Sequence, residues 1–440
     1  MHRARGEHAN KYEARADRRT KRVHVISRFV ATRFAALQSR DFRLLCAGQV
    51  ISLTGSQMQQ VAVVWQLYLV THDPLSMGAL GLFKVVPMVI FALGGGVVAD
   101  ALDRRKLMIV AQIALGLSSI TLAAATMMHA ISAPIIYAAS AFAGAAAAFE
   151  IPARQSMLPR LVSEQELPNA LSIYATVWQL AQIGGPALGG LVLARYGVLP
   201  IYMFDIVSFG AVIAAVAMME TREVEGTRRP MELSAIGEGL VFLVRTPVIL
   251  SVMILDAVGT FFAGAMLLMP IFADQLLNVG PRGLGLLYAA QPAGAALIGA
   301  WMSARPPIRK QGLTVVTMVA LYGFAIALFG RTASFPVALL ALAVSGGADT
   351  ASMVVRQTLR QVLTPDAMRG RMTSINMIFA MGGPQLGEAE AGAVAKMFDA
   401  RVSVISGGLI CAAVAIGVAL MAPGLRRFRT DQPEAVATGA

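Results

Sequence analysis

The chain has 440 residues, 56% of them hydrophobic and only 14% charged, with a mean hydropathy of +0.65, whereas a soluble domain carries about 25% charged residues. That composition excludes an ordinary soluble fold and implies an integral membrane protein with room for about a dozen spans of about 20 residues each. Net charge is +12, and the first 43 residues hold 12 Lys or Arg against four acidic residues, so the basicity belongs largely to the N-terminal tail, which reads as attraction to anionic membrane lipid rather than to nucleic acid.

Residues 1–40 lack an apolar stretch followed by a small-residue cleavage site, so insertion is expected to use the first span itself. In chain order, apolar runs bounded by Pro, Gly and charge predict spans at 44–70, 76–99, 107–128, 133–152, 168–194 and 198–219, then at 247–273, 283–304, 312–330, 334–355, 372–396 and 402–422. The reading is a basic tail over 1–39, a six-helix half over 40–220, a polar connector over 221–246, a second six-helix half over 247–422 and a tail over 423–440. Counting Lys and Arg by side gives 31 on the face of the tails and even-numbered loops against five on the other, which predicts that both termini are cytoplasmic. Cys46 and Cys411 fall in apolar runs and imply no disulfide framework.

The halves look duplicated. Arg154-Gln155-Ser156 recurs as Arg356-Gln357-Thr358, an offset of 202 that also pairs Glu164 with Asp366, Ser172 with Ser374, Gly185 with Gly387 and Gly190 with Gly392. None of the six lysines is followed by Ser or Thr, so the phosphate-cradling loop of an ATPase is missing. The five histidines lie in the tail or in the outer loops, so no cluster inside the membrane is available for a metal or for base catalysis. No enzyme activity, metal or cofactor is expected.

At the turn after span two, Gly96, Asp100 and Arg104-Arg105-Lys106 resemble the signature loop of the major facilitator superfamily. Gly96 allows close helix approach, Asp100 suits a helix N-terminus, and Arg104 or Arg105 has Glu150, at the end of span four, as its expected partner. Ala101 and Asp103 stand where that family usually has a basic residue and glycine. In span five, Gly184 to Gly190, with Gly185, Pro186, Gly189 and Gly190, resembles the glycine-proline motif of exporters of this superfamily, and its missing donor and small side chains suit bending and tight packing. Arg356 to Leu359, Thr364 to Arg371, Leu386 to Gly392, Met269 to Asp274 and Gly283 to Ala290 are similar to the drug and siderophore efflux branch that holds the enterobactin exporter and the macrolide efflux proteins. The resemblance runs from about residue 40 to 429.

Ionisable groups inside a bilayer cost several kcal/mol and mark function by default. Asp256 lies nine residues after Pro247, about 14 Å along a helix and near the midplane, and is the leading candidate for proton coupling, with a structural hydrogen bond as the alternative. Glu388 and Glu390 stand on different faces of span eleven, so only one can face a central path. Asp349, seven residues before Arg356, is read as its structural ion-pair partner, and both are placed with the gating residues. Asp205 and Lys84 are read as lying near membrane boundaries, where snorkelling explains them as well as function does. Gln57, Gln60 and Trp65 in span one, Trp178, Gln179 and Gln182 in span five, and Asn376 in span eleven suit a cavity for a large, weakly charged solute, though interhelical hydrogen bonds explain the same residues.

The expectation is an all-α major-facilitator fold of twelve helices, acting as a monomer in a bacterial plasma membrane with a small-molecule substrate, protons and lipid as partners. Resemblance implies proton-coupled export of a siderophore, macrolide or similar metabolite by alternating access. A facilitator or importer, or a membrane sensor that transports nothing, are the alternatives.

Overall fold

The structure, a computed structural model, describes residues 35–94, 103–220, 241–244, 246–262, 264–306 and 308–428. Among these, the first half comprises α1 (Arg40–Thr71), α2 (Pro74–Gly94), α3 (Arg104–Met127), α4 (Ala133–Met157), α5 (Leu167–Tyr196) and α6 (Leu199–Ala217). The second comprises α7 (Pro247–Phe261), α8 (Gly280–Ser303), α9 (Gln311–Arg331), α10 (Phe335–Leu363), α11 (Asp366–Met397) and α12 (Ala400–Met421). Among the described residues, ten spans are long and apolar enough to cross a membrane, with α7 counted through Leu276. The other two, α1 and α11, are the glutamine- and glutamate-bearing helices that complete each set of six.

Helix ends follow local chemistry. Ser39 in an extended conformation caps α1 by accepting from the Phe42 N–H, and Asp103 caps α3 by accepting from the Arg105 N–H at 2.9 Å. Proline occupies the first turn of α4, α5, α6, α7, α8 and α10, where its missing N–H is no loss. Gly197 at φ 77° ends α5 and lets α6 begin two residues later.

Several helix boundaries differ from the sequence reading. Span seven, predicted as one helix over 247–273, breaks after Phe261 and continues as a 3-10 turn (Gly264–Leu268), a short α segment (Met269–Ile271) and a π turn (Phe272–Leu276); Gly264 and Pro270, which lacks a donor, weaken the regular ladder there. Helices α4 and α10 extend to Met157 and Leu363, past their expected ends. Arg154, Arg356 and Arg360 therefore belong to helices and not to loops, and each finds a carboxylate partner within the bundle.

Packing repeats with a shift of six helices. Pairs α1–α5, α1–α6, α2–α4, α3–α4 and α3–α6 recur as α7–α11, α7–α12, α8–α10, α9–α10 and α9–α12. Register repeats too: Gly144 on α4 closes on the Lys84 carbonyl of α2, and Gly346 on α10 closes on the Gln291 carbonyl of α8. Across the halves, α5 packs on α8 and α2 on α11, the same contact used twice.

Helices alternate in direction, so Arg40 and Met421 share one end of the bundle. At the opposite, far end, one hydrophobic core joins the halves, with Trp65, Tyr68, Met77 and Leu80 packed with Leu268, Phe272, Leu284 and Ala391. Toward the termini, the first half closes over a cluster of its own, including Phe42, Leu45, Met108, Met157, Val212 and Val216, which takes in no residue of the second half.

Candidate functional site

Each half carries an arginine, buried or nearly so, that ties its fourth helix to its first. In the second half Arg356, 3% exposed, pairs through Nη2 with Asp256 Oδ1 of α7 at 3.1 Å and with Asp349 Oδ1 at 3.4 Å. Arg360, one turn on and so on the same face of α10, adds Nη1 to Asp256 Oδ2 at 3.5 Å. In the first half Arg154 pairs with Glu150 on its own helix at 3.2 Å, donates to Gln49 Oε1 of α1 at 3.3 Å, and lies 5.6 Å from the centre of the Tyr174 ring. Gln49 and Asp256 are 207 residues apart, close to the 202 that separates the arginines. The tie from the arginine to the first helix is thus neutral in one half and ionic in the other, and both arginines keep a buried Nε–H with no acceptor among the described residues.

Charges balance in both nodes: Arg154 against Glu150, and Arg356 with Arg360 against Asp256 and Asp349. Balance is what allows such groups inside a low-dielectric interior. Asp349 takes the partner expected from its spacing. Glu150, expected to meet Arg104 or Arg105, pairs with Arg154, since the i, i+4 spacing brings Arg154 over it without bridging two helices, while the guanidinium of Arg105 donates to the Ala217 carbonyl at the end of α6. Gly96 and Asp100 lie outside the described residues.

Around these nodes the predicted cavity residues divide. Gln57 of α1 donates to Gln182 of α5, and Gln179 Nε2 donates across the halves to the Pro292 carbonyl of α8 at 2.8 Å. Gln60 and Trp178 are exposed. Trp65 is a correction: it is 6% exposed, 5.6 Å from the Tyr68 ring, inside the joint far-end core and not on an open wall, because that face of α1 meets the second half. Asn376 Oδ1 is buried with no partner among the described residues. Glu388 and Gln385 of α11 lean over Gly81 of α2, where a Cβ would strike both side chains. Glu390 points elsewhere and makes no hydrogen bond or ion pair among the described residues.

The glycines of α5 are contact points. Gly185 meets the Gln57 side chain and Gly189 the Met58 backbone. Pro186 presents its carbonyl to Gly285, and a Cβ on Gly190 would lie 2.7 Å from Gly285 Cα and 2.8 Å from the Pro281 carbonyl. At the other seam a Cβ on Gly392 would lie 2.8 Å from Gly78 Cα and 2.7 Å from the Pro74 carbonyl. Pro74 and Gly78 repeat as Pro281 and Gly285 at an offset of 207, and Gly190 repeats as Gly392 at 202. Sequence comparison at 202 alone misses this pair of crossings; a second comparison at 207 finds the proline-glycine spacing.

Polar bonds reinforce the far end. Lys396 Nζ meets Asp73 Oδ1 at 2.8 Å, Tyr68 Oη donates to Asp274 Oδ2 at 2.7 Å, and Gln275 Nε2 donates to Tyr68 Oη at 3.0 Å. Burial pushes the Asp73 carboxyl up, but bonds from Lys396 and from the Ser76 hydroxyl and N–H outweigh it and hold the group below the ordinary carboxylate value.

Asp205 departs most from expectation. It is fully buried between α1, α3 and α6, not at a boundary where its charge reaches water, because Ser119 and Ser56 point hydroxyls at it from neighbouring helices. A lone serine in an apolar run gives no sequence signal that it serves a carboxyl two helices away.

Over residues 31–437 the chain matches the major-facilitator family described as transmembrane secretion effector. It is 27% identical over 403 residues to the enterobactin exporter EntS of Escherichia coli O6:K15:H31, spanning 91% of this chain and 96% of that protein. The counterpart from Escherichia fergusonii is 26% identical over 400 residues, 90% and 95% of the two chains. Among solved structures, a bacterial homologue of the iron transporter ferroportin in its inward-facing state superposes with a TM-score of 0.66 at 16% identity over 86% of this chain and 98% of that one. A POT family transporter in complex with a thioalcohol-conjugated peptide superposes with a TM-score of 0.70 at 10% identity over 88% and 96%. Two six-helix halves with repeated packing, together with a family match along nearly the whole chain, make this protein a multi-pass membrane transporter, and not an enzyme, of the transmembrane secretion effector family in the major facilitator superfamily.

Proposed function

We propose that the protein exports a small organic molecule, of the siderophore, macrolide or similar drug-like class, from a bacterial cell across the plasma membrane by proton-coupled alternating access, as a monomer with both termini in the cytoplasm. The observation that carries alternating access is the one-sided closure: the halves share a core and polar bonds at the far end, while the first half keeps a separate cluster near the termini. With the termini inside, this is the inward-facing state, ready to load from the cytoplasm. The substrate class follows from full-length similarity to enterobactin exporters.

Asp256 is the proposed coupling carboxylate. A proton there cancels one of the two negative charges opposite Arg356 and Arg360 and so loosens α7 from α10, a change that alternating access can use. Glu388, at the α2–α11 seam, and Glu390 are further candidates. Gln57, Gln179 and Gln182 would offer neutral polar contacts to substrate where α1, α5 and α8 meet, and the glycines and Pro186 of α5 would let the seam rock.

The test is full-length protein in liposomes loaded with a pH dye, with a proton gradient imposed and siderophores, macrolides and dyes added in turn. Compound-triggered proton movement that is lost in Asp256→Asn is the expected result. Substrate movement without protons would make the protein a facilitator, and failure to move any compound in folded samples would favour a sensor.

A further inference from the structure

We propose that Asp205 is a second proton-binding site, sealed inside the first half and away from the seams between the halves. Its side chain lies six residues into α6 at 0% exposure. Asp205 Oδ2 is 2.7 Å from Ser119 Oγ of α3, and Oδ1 is 3.4 Å from both Ser56 Oγ of α1 and Ser208 Oγ of its own helix. Backbone closes the remaining side, since a Cβ on Gly55 would lie 3.0 Å from Oδ1. From α1 the groups facing it are Gly55, Ser56 and Gln59, and from α3 Ser119. Among the described residues no Lys, Arg or His pairs with it, and Tyr202, one turn away on α6, is committed to Gln66 at 2.6 Å.

Counting protons shows what is missing. Ser208 is committed at 2.7 Å to the Asp205 carbonyl. Ser119 has one hydroxyl proton but lies 2.7 Å from Asp205 Oδ2, 3.1 Å from Gln59 Oε1 and 3.4 Å from the Leu115 carbonyl, three acceptors for one donor. If Asp205 is ionised, Ser119 donates to it and an oxygen–oxygen contact with Gln59 is left without a proton. If Oδ2 carries a proton, it donates to Ser119 Oγ and the Ser119 hydroxyl donates to Gln59 Oε1, so both contacts become hydrogen bonds. Turning the Gln59 amide would relieve the contact but leave a full negative charge with no cation among the described residues in a fully buried site, at a cost of several kcal/mol. A metal ion does not fit, because the oxygens already touch at hydrogen-bond distance. The same α1 that supplies Ser56 and Gln59 carries Gln57, bonded to Gln182 of α5, so this proton helps fix α1 against α3 and α6 while its other face meets the path.

Infrared difference spectra of full-length protein in detergent, taken between neutral and alkaline pH in H2O and D2O, test this without any substrate. A deuterium-sensitive C=O band of a protonated carboxyl is expected in wild type and in Asp256→Asn and is lost in Asp205→Asn, which otherwise folds because the amide can stand in for the neutral acid. Ser119→Ala, which removes the bonding partner, must shift the band even if Asp205→Asn does not fold. No such band in wild type at neutral pH, a band unchanged in Asp205→Asn, or one unmoved by Ser119→Ala overturns the proposal. Loss of the band on adding sodium at constant pH also overturns it, by assigning the site to an alkali cation.

Discussion

At the scale of single residues, buried charge dominates. Removing one member of a buried ionic network leaves its partner uncompensated, at about 3–5 kcal/mol. Arg356→Met should therefore lower thermal stability in detergent, by less than that full amount because Asp256 keeps Arg360 at 3.5 Å and the Asp349 side chain is 48% exposed to screening water, and adding Asp256→Asn should recover part of the loss. A single variant that melts like wild type would show that the network compensates no charge. The opposite case is Lys396 with Asp73, 57% and 24% exposed, where solvent screening leaves such a pair little stability. Lys396→Ala should barely move the melting temperature. The sign of its pH dependence follows from the lowered Asp73 value: the pair is intact above the ordinary carboxylate range and is lost only as pH falls through the lowered value. Spin-label distances across the far end should accordingly stay flat between about pH 5 and 8.

Between elements, backbone distance decides. The crossings of α2 with α11 and α5 with α8 depend on Gly78, Gly392, Gly190 and Gly285, which have no room for a methyl group. Gly78→Val or Gly285→Val should hold the far end apart, seen as longer spin-label distances between α2 and α11 or α5 and α8, and should destabilise the closed state by about 1–3 kcal/mol through overpacking. Gly184→Ala is the control, because a Cβ there meets nothing within 4 Å. If both substitutions behave alike, the crossings are not what closes the far end.

For the whole molecule, orientation rests on the charge count. Arg154, Arg356 and Arg360 lie in helices and are committed to ion pairs, and removing them from the count leaves the bias toward the terminal face large. Fluorescent-protein fusions at either terminus should therefore glow and alkaline-phosphatase fusions should be inactive; an active phosphatase fusion at either end would reverse the assigned orientation and turn the inward-facing state into an outward-facing one.

The all-helical membrane-spanning fold and the repeated Arg-Gln-Ser/Thr stretch are legible in the sequence because hydropathy and self-similarity run along the chain, and the bilayer reads them directly. Asp349 with Arg356 was equally legible, as seven residues make two turns of one helix. The break in span seven was not, nor were the ties of Asp256 to Arg356 and Arg360, the glycine crossings or the enclosure of Asp205. Each depends on the rotation and depth of one helix against another, quantities that a hydropathy pattern leaves free and that only side-chain packing sets. Asp205 shows the difference most clearly: six residues into an apolar helix it could reach water or be sealed from it, and what sealed it were hydroxyls on α1 and α3, brought there by the packing of three helices.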